Sequence, residues 1–98
     1  MNELDEARQA KLDINRAALA QQVTSNSVYQ EALTMMKADC FALFESSKQS
    51  DKEKHDQIWL QLNAIKEFQA NLEYIMENGA YAKQTLTALE RVKKTIGL

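Results

Sequence analysis

The feature that most constrains the fold is a row of apolar positions at helical spacing within residues 50–96. Its members are Ile58, Ile65, Phe68, Leu72, Ile75, Gly79, Ala82, Leu86, Leu89 and Ile96. From Ile65 onward the steps alternate between three and four residues, which is typical of a helix that presents a narrow apolar seam to partner helices. Lys93, which falls between Leu89 and Ile96, is the one non-apolar position in the row. We therefore predict one long helix over about 51–96, which kinks or packs closely at Gly79.

The pair Asn78-Gly79 also has a second interpretation, because glycine after asparagine often ends a helix. In that case the chain turns there and forms a compact bundle with a radius of gyration near roughly 13 Å. A continuous helix of about 45 residues would be roughly 67 Å long and could not fit such a bundle. The unbroken phase favours the continuous helix, since after a turn nothing would oblige Ala82 and Leu86 to keep the register.

The composition points to helices throughout. The chain of 98 residues has no proline and two glycines, whereas an average chain of this length carries roughly five and seven. Tight turns and sheet corners need those residues, so few connections are expected. The formal net charge of -2 gives no general attraction to nucleic acid or anionic membrane. A single cysteine excludes an intrachain disulfide and fits a reducing cytosol.

A first, weaker helix is predicted over about 2–23. Its apolar face is Leu4, Ala7, Ile14 and Ala18, with Leu12, Leu19 and Val23 on an adjoining row. Because this face is rich in alanine, the helix buries little area of its own. A second helix is predicted over about 28–47, beginning after a capping box formed by Ser27 and Gln30. Its apolar face is Tyr29, Ala32, Leu33, Met36, Cys40, Leu43 and Phe44.

The polar segment 46–50 reverses the chain direction, and Ser50 with Glu53 forms a second capping box before the long helix. The predicted fold is all-α: an elongated antiparallel helical hairpin or coiled coil with a weaker N-terminal third helix. We expect a single helical domain over 1–98. In this register the second helix faces Ile58–Leu72, and the first helix faces Gly79–Ile96.

No group of residues indicates catalysis, a cofactor or a metal. His55 is the one histidine and is expected to be solvated at a helix start. Cys40 lies on an apolar face with no histidine on its helix, so it is expected to be a small core residue. The chain is therefore predicted not to be an enzyme.

Four apolar side chains lie off the main row and cannot all be covered by a two-helix hairpin: Phe41, Trp59, Leu60 and Tyr81. Oligomerisation is the usual solution for a small helical protein with such a surplus. We predict a homo-oligomer whose interface uses some of these side chains.

The C-terminal end carries four basic residues against one acid: Lys83, Arg91, Lys93 and Lys94. Basic side chains in a last turn complement the negative end of the helix dipole, which is the favoured interpretation. The alternative is a set of phosphate contacts in a DNA-associated packaging accessory or small regulator.

One segment order resembles a known group of proteins. It consists of Tyr29-Gln30-Glu31-Ala32-Leu33, then Phe44, Ser46, Ser47, Asp51, Ile58-Trp59, and Gly79 with Ala82. The order is similar to small all-helical proteins encoded near packaging and head genes in tailed-bacteriophage and prophage genomes. The resemblance covers about 28–86 and leaves the first helix outside. It implies a non-enzymatic role in virion assembly or DNA packaging, and it assigns no catalytic or binding residue.

The functional prediction is a homo-oligomeric structural or assembly protein that works by helix–helix packing. Other phage or host proteins are further candidate partners, and a small inhibitor or adaptor that binds a host protein is a third alternative. Nucleic acid is not the favoured partner. No apolar run approaches the roughly 20 residues of a membrane span, so no membrane partner is expected. The expected location is the bacterial host cytoplasm or the virion.

Overall fold

The computed structural model describes residues 2–96, which form three α-helices. These are α1 (Glu3–Thr24), α2 (Ser27–Ser46) and α3 (Lys52–Thr95). Each observed bound lies within one residue of the bound expected from the sequence. The all-α fold class is confirmed.

Each helix is capped by the asparagine or aspartate that precedes its first residue, which corrects the two predicted capping boxes. The side chain of Asn26, not Ser27, accepts the N–H of Tyr29 at 3.0 Å, so α2 begins one residue earlier than predicted. The side chain of Asp51, not Ser50, accepts the N–H of Lys54 at 3.2 Å. Asn and Asp rank with Ser as N-caps, and at both sites the carboxamide or carboxylate prevailed over the neighbouring hydroxyl. Asn2 caps α1 in the same way, at 2.8 Å from the N–H of Asp5.

The long helix α3 passes through Gly79 without interruption, as the phase of the apolar row predicted. Its 44 residues correspond to a length of about 66 Å. Gly79 is buried, and a Cβ built on it would overlap the Cβ of Ala17 and lie 3.2 Å from the carbonyl oxygen of Asp13. The glycine is therefore a point of close helix packing, and this is why a residue that usually ends helices is kept inside one.

Tertiary contacts divide the chain into two compact units. Unit 1 combines α1, up to Val23, with the part of α3 that begins at Leu72. Unit 2 is Thr24–Asn71, which contains α2 and the first part of α3. Because α3 contributes to both units, the expectation of one domain over 1–98 stays a prediction.

Unit 1 is held together by small residues. Its buried side chains are Ala10, Ala20 and Ala82, each about 4–5% exposed, and Ala17 packs against Gly79. Close approach of two helices requires such residues, because any longer side chain would separate the backbones. The small side chains of α1, which bury little area by themselves, thus allow the helix to pack closely against this part of α3.

The predicted apolar face of α1 is partly correct. Ala7 and Ile14 are half-buried on the side of the helix that carries Ala10 and Ala17. The prediction is wrong at the larger residues and at Ala18, which is exposed: Leu4, Leu12, Leu19 and Val23 are 67%, 51%, 54% and 43% exposed. The space beside Gly79 admits only a methyl-sized side chain, so the leucines are excluded from this contact.

Unit 2 contains larger side chains. Cys40, Ile58 and Ile65 form its buried cluster, with Leu33 and Leu62 packed against them. Part of the predicted α2 face is not covered in this unit: Met36, Leu43 and Phe44 are 49%, 42% and 52% exposed. Two helices cover only the central row of a wide apolar face, so its flanking rows stay at the surface.

The pairing within each unit is antiparallel, as predicted. In unit 2, Ser47 meets His55, Cys40 meets Gln61, and Tyr29 meets Phe68, so the partner number rises as the α2 number falls. In unit 1, Gly79 meets Asp13 and Ala17, which agrees with the predicted pairing of the first helix with Gly79–Ile96. The hairpin-like pairing of helices is confirmed.

Candidate functional site

An apolar groove lies within unit 2, between α2 and α3. We call it the α2–α3 groove, and its volume is about 700 Å³. Its lining residues are Tyr29, Ala32, Leu33, Met36, Asp39 and Cys40 from α2, and Gln61, Ala64, Ile65 and Phe68 from α3. Residues three, four and seven apart share one side of a helix, so each helix contributes one continuous wall.

The floor of the groove is the buried cluster of unit 2. The Cys40 thiol donates to Oε1 of Gln61 across the two helices, with a sulfur–oxygen distance of 3.5 Å. At one end the rings of Tyr29 and Phe68 lie 6.2 Å apart with an interplanar angle of 47°, a tilted aromatic pair. Cys40 and Ile65 from this cluster line the groove.

The Tyr29 hydroxyl is buried and finds no hydrogen-bond partner among the described residues. A buried hydroxyl without a partner is unfavourable by about 1–3 kcal/mol. This polar atom in the wall of an apolar groove makes the pairing of α2 with α3 incomplete at that end.

The groove suits an apolar occupant. Asp39 supplies a carboxylate at its edge and Gln61 an amide, while most of the other lining groups are hydrocarbon or sulfur. Such a surface binds side chains by burial, with one or two polar contacts to set orientation. The buried Cys40 confirms the prediction that this residue is part of the core.

His55 corrects the expectation of a solvated side chain. It is half-buried, its ring lies 5.1 Å from that of Phe44, and its Nε2 is 2.7 Å from Oγ of Ser47. Because the Ser47 hydroxyl donates to the carbonyl of Phe44 at 2.7 Å, the imidazole N–H is the donor to Ser47. The histidine therefore joins the end of α2 to the start of α3. In the part of the chain from 2 to 96, no cluster of three or more His, Cys, Asp or Glu could hold a metal ion.

The four predicted interface residues are all exposed: Phe41 62%, Trp59 64%, Leu60 60% and Tyr81 73%. They do not form one patch. Helical phase places Phe41 and Trp59 on the side of unit 2 opposite the groove, whereas Leu60 borders the groove side. Tyr81 belongs to unit 1, one heptad after the exposed Tyr74.

The four basic residues considered for phosphate contacts are exposed on α3: Lys83, Arg91, Lys93 and Lys94. Lys93 and Lys94 lie in the last turn of the helix, where they complement its dipole. Around the axis the four positions spread over nearly half of the helix circumference, so they do not form a compact cationic patch.

Sequence reasoning missed both the groove and the outward side of α1. A signal for the second was present, since Leu12, Leu19 and Val23 fall on a row separate from the alanines. The predicted face included Ala7 and Ile14 but left out Ala10, Ala17 and Ala20, because alanine adds little to an apolar pattern.

Comparison of this chain with known protein families, curated proteins and solved structures gives no match. None of the helices within residues 2–96 combines the length and apolar character that a membrane span requires.

Proposed function

We propose that the protein is a non-enzymatic assembly protein that forms homo-oligomers by helix–helix packing. The observation that carries the proposal is that small apolar side chains are buried whereas most large ones are exposed. The buried hydrophobic residues of the described chain are alanines, one cysteine and two isoleucines, namely Ala10, Ala20, Ala82, Cys40, Ile58 and Ile65. The large side chains, including Trp59 and Tyr81, are mostly at the surface.

This distribution leaves one copy with little burial energy. Burial of apolar surface contributes roughly 25 cal/mol per Å², and small side chains contribute least. No side chain within residues 2–96 falls below 2% exposure. Exposed apolar faces of this extent typically mark surfaces for protein association. A second copy supplies faces of the same character and would cover them.

The proposal includes specific interface anchors. Aromatic side chains dominate the energetics of many interfaces, and Phe41, Trp59 and Tyr81 are exposed on both units. Their distribution over different sides of the helices suits a protein that contacts more than one neighbour.

The setting we propose is the one that the resemblance of residues 28–86 implies, assembly of a virion or packaging of its DNA in a bacterial host. A protein that works through surface shape and packing requires no catalytic group. In this role the exposed apolar faces are the working surfaces.

The test is size-exclusion chromatography with in-line light scattering over a series of micromolar concentrations. We expect a mass that is a multiple of the single chain and falls on dilution. Replacing Phe41 and Trp59 together by alanine should lower the mass at a given concentration, because both anchors are exposed before assembly. The matched control is Asn71→Ala, a polar exposed position on the same helix as Trp59, which should leave the mass unchanged. A single-chain mass at every concentration would overturn the proposal.

A further inference from the structure

The outward side of α1 is a second apolar surface, directed away from α3. Leu4, Leu12, Leu19 and Val23 lie on one row of the helix, and we call this row the outer α1 stripe. Arg8 and Arg16 lie on the same row at steps of four residues, Asp5 lies on it one heptad before Leu12, and all three are exposed. Because the alanine face of α1 already contacts α3, the outer α1 stripe has no role inside unit 1.

The charge beside the α2–α3 groove is opposite to that of the stripe between Leu12 and Val23. Asp39 lines the groove, and helical phase places Glu67 one turn from Ala64 on its outer edge. Lys66 lies on the far side of α3. An apolar row with an arginine would therefore meet an apolar groove with carboxylates.

The groove also matches the part of the stripe from Leu12 to Val23 in length. The groove runs along α2 from Tyr29 to Cys40, which is about 16 Å of helix. The distance along α1 from Leu12 to Val23 covers the same number of residues and hence the same length. An apolar groove binds a helix through anchor side chains spaced by four and seven residues, as Leu12, Leu19 and Val23 are.

We propose that the outer α1 stripe of a second copy docks in the α2–α3 groove. The inference rests on the proposed homo-oligomer and names its contact: each copy offers one stripe and one groove. Such a contact is heterologous, so it builds rings or open chains and not a closed two-fold pair. The docked helix brings the Arg16 side chain toward Asp39.

The test uses two variants that each disable one surface. Leu19→Glu places an acid on the stripe, where it would face the acidic groove, and Ala64→Arg places a bulky cation in the groove wall. Each variant alone should assemble to a lower mass than the unmodified chain. An equimolar mixture should reach a higher mass than either variant alone, because one intact stripe remains opposite one intact groove. Light scattering gives the masses, and circular dichroism confirms that each variant keeps its helices.

Matched controls make the same two substitutions at exposed alanines outside the surfaces: Ala18→Glu on α1, beside the stripe, and Ala70→Arg on α3, on the side away from the groove. Both should assemble as the unmodified chain does. If a variant loses its helical circular-dichroism signal, a pair of charge-reversal variants is used in its place. Arg16→Asp and Asp39→Arg should each weaken assembly, and the double variant should restore it.

The outcomes separate this inference from the proposed function. If both single variants assemble as the unmodified chain does, the stripe–groove contact is wrong and the homo-oligomer stands. If only Leu19→Glu weakens assembly, the stripe pairs with something other than the groove, which also overturns the contact. If the unmodified chain is a single-chain species, the proposed function fails together with the inference.

Discussion

Unit 1 and unit 2 both pair two antiparallel helices, but side chains of different size separate them. In unit 1 the contact is made by alanines and Gly79, and a methyl group added at Gly79 would overlap Ala17. In unit 2 it is made by isoleucines, a cysteine and an aromatic pair. Small residues let two helices approach until no space remains, whereas large residues separate them and leave a groove.

A hydrophobic residue therefore does not necessarily face the partner helix. In unit 1 the larger apolar residues of α1 face outward because the close contact excludes them. In unit 2 large residues face inward, and the space beside them is incompletely filled. Each unit thus exposes an apolar surface for its own reason: a stripe in one and a groove in the other.

The largest expected effect concerns the packed cluster of unit 2. Ile65→Ala removes a side chain that is 5% exposed, and we expect the free energy of unfolding to fall by about 2–4 kcal/mol, from lost burial and a residual cavity. Urea unfolding at fixed protein concentration measures it. The matched control is Leu60→Ala on the same helix, 60% exposed, whose loss should stay below about 1 kcal/mol. Equal losses for the two variants would contradict the assignment of Ile65 to the core.

The next effect tests the close contact of unit 1. Alanine is favoured over glycine in a helix by about 1 kcal/mol, so propensity alone predicts that Gly79→Ala stabilises. Overlap with Ala17 predicts the opposite, and we expect a loss of about 1–3 kcal/mol in the free energy of unfolding.

A double-mutant cycle separates the two terms of that prediction. Ala17→Gly removes the methyl group that the new Cβ would meet, so the double variant should be more stable than the sum of the single effects implies. Additive effects, or a stabilised Gly79→Ala protein, would mean that the helices do not approach closely at this point.

The smallest effect concerns the incomplete end of the groove. Tyr29→Phe removes a buried hydroxyl that has no partner among the described residues, so the free energy of unfolding should stay the same or rise by up to about 1 kcal/mol. Tyr74→Phe is the control at an exposed position and should change nothing measurable. A loss of stability in Tyr29→Phe alone would show that the hydroxyl is bonded in solution.

Much of the fold could be predicted from residue pattern. The three helices, the antiparallel register and the passage through Gly79 follow from apolar periodicity, which depends on local geometry. The cap positions were wrong by one residue, because Ser27 and Ser50 stand next to Asn26 and Asp51 and all four residues can cap. Pattern alone does not say which of two adjacent oxygens reaches the free N–H groups.

The candidate site was less accessible to sequence reasoning. The exposure of Phe41, Trp59, Leu60 and Tyr81 was expected from their position off the apolar row. The groove was not, since it depends on how far the side chains of the buried cluster separate α2 from α3. The contact of His55 with Ser47 and Phe44 was also missed, because it forms across a chain reversal whose geometry no local rule supplies.

Residue pattern alone gives the helix ends to within one residue, the continuation of the long helix through Gly79, and the excess of large apolar residues over what two helices can cover. The side of α1 that faces inward and the position of the groove depend on how the helices pack. The physical reason is that helical periodicity is a property of one segment, whereas the distance between two helices depends on both. At Gly79 that distance leaves no space for a methyl group, and so alanines lie inside and leucines remain outside.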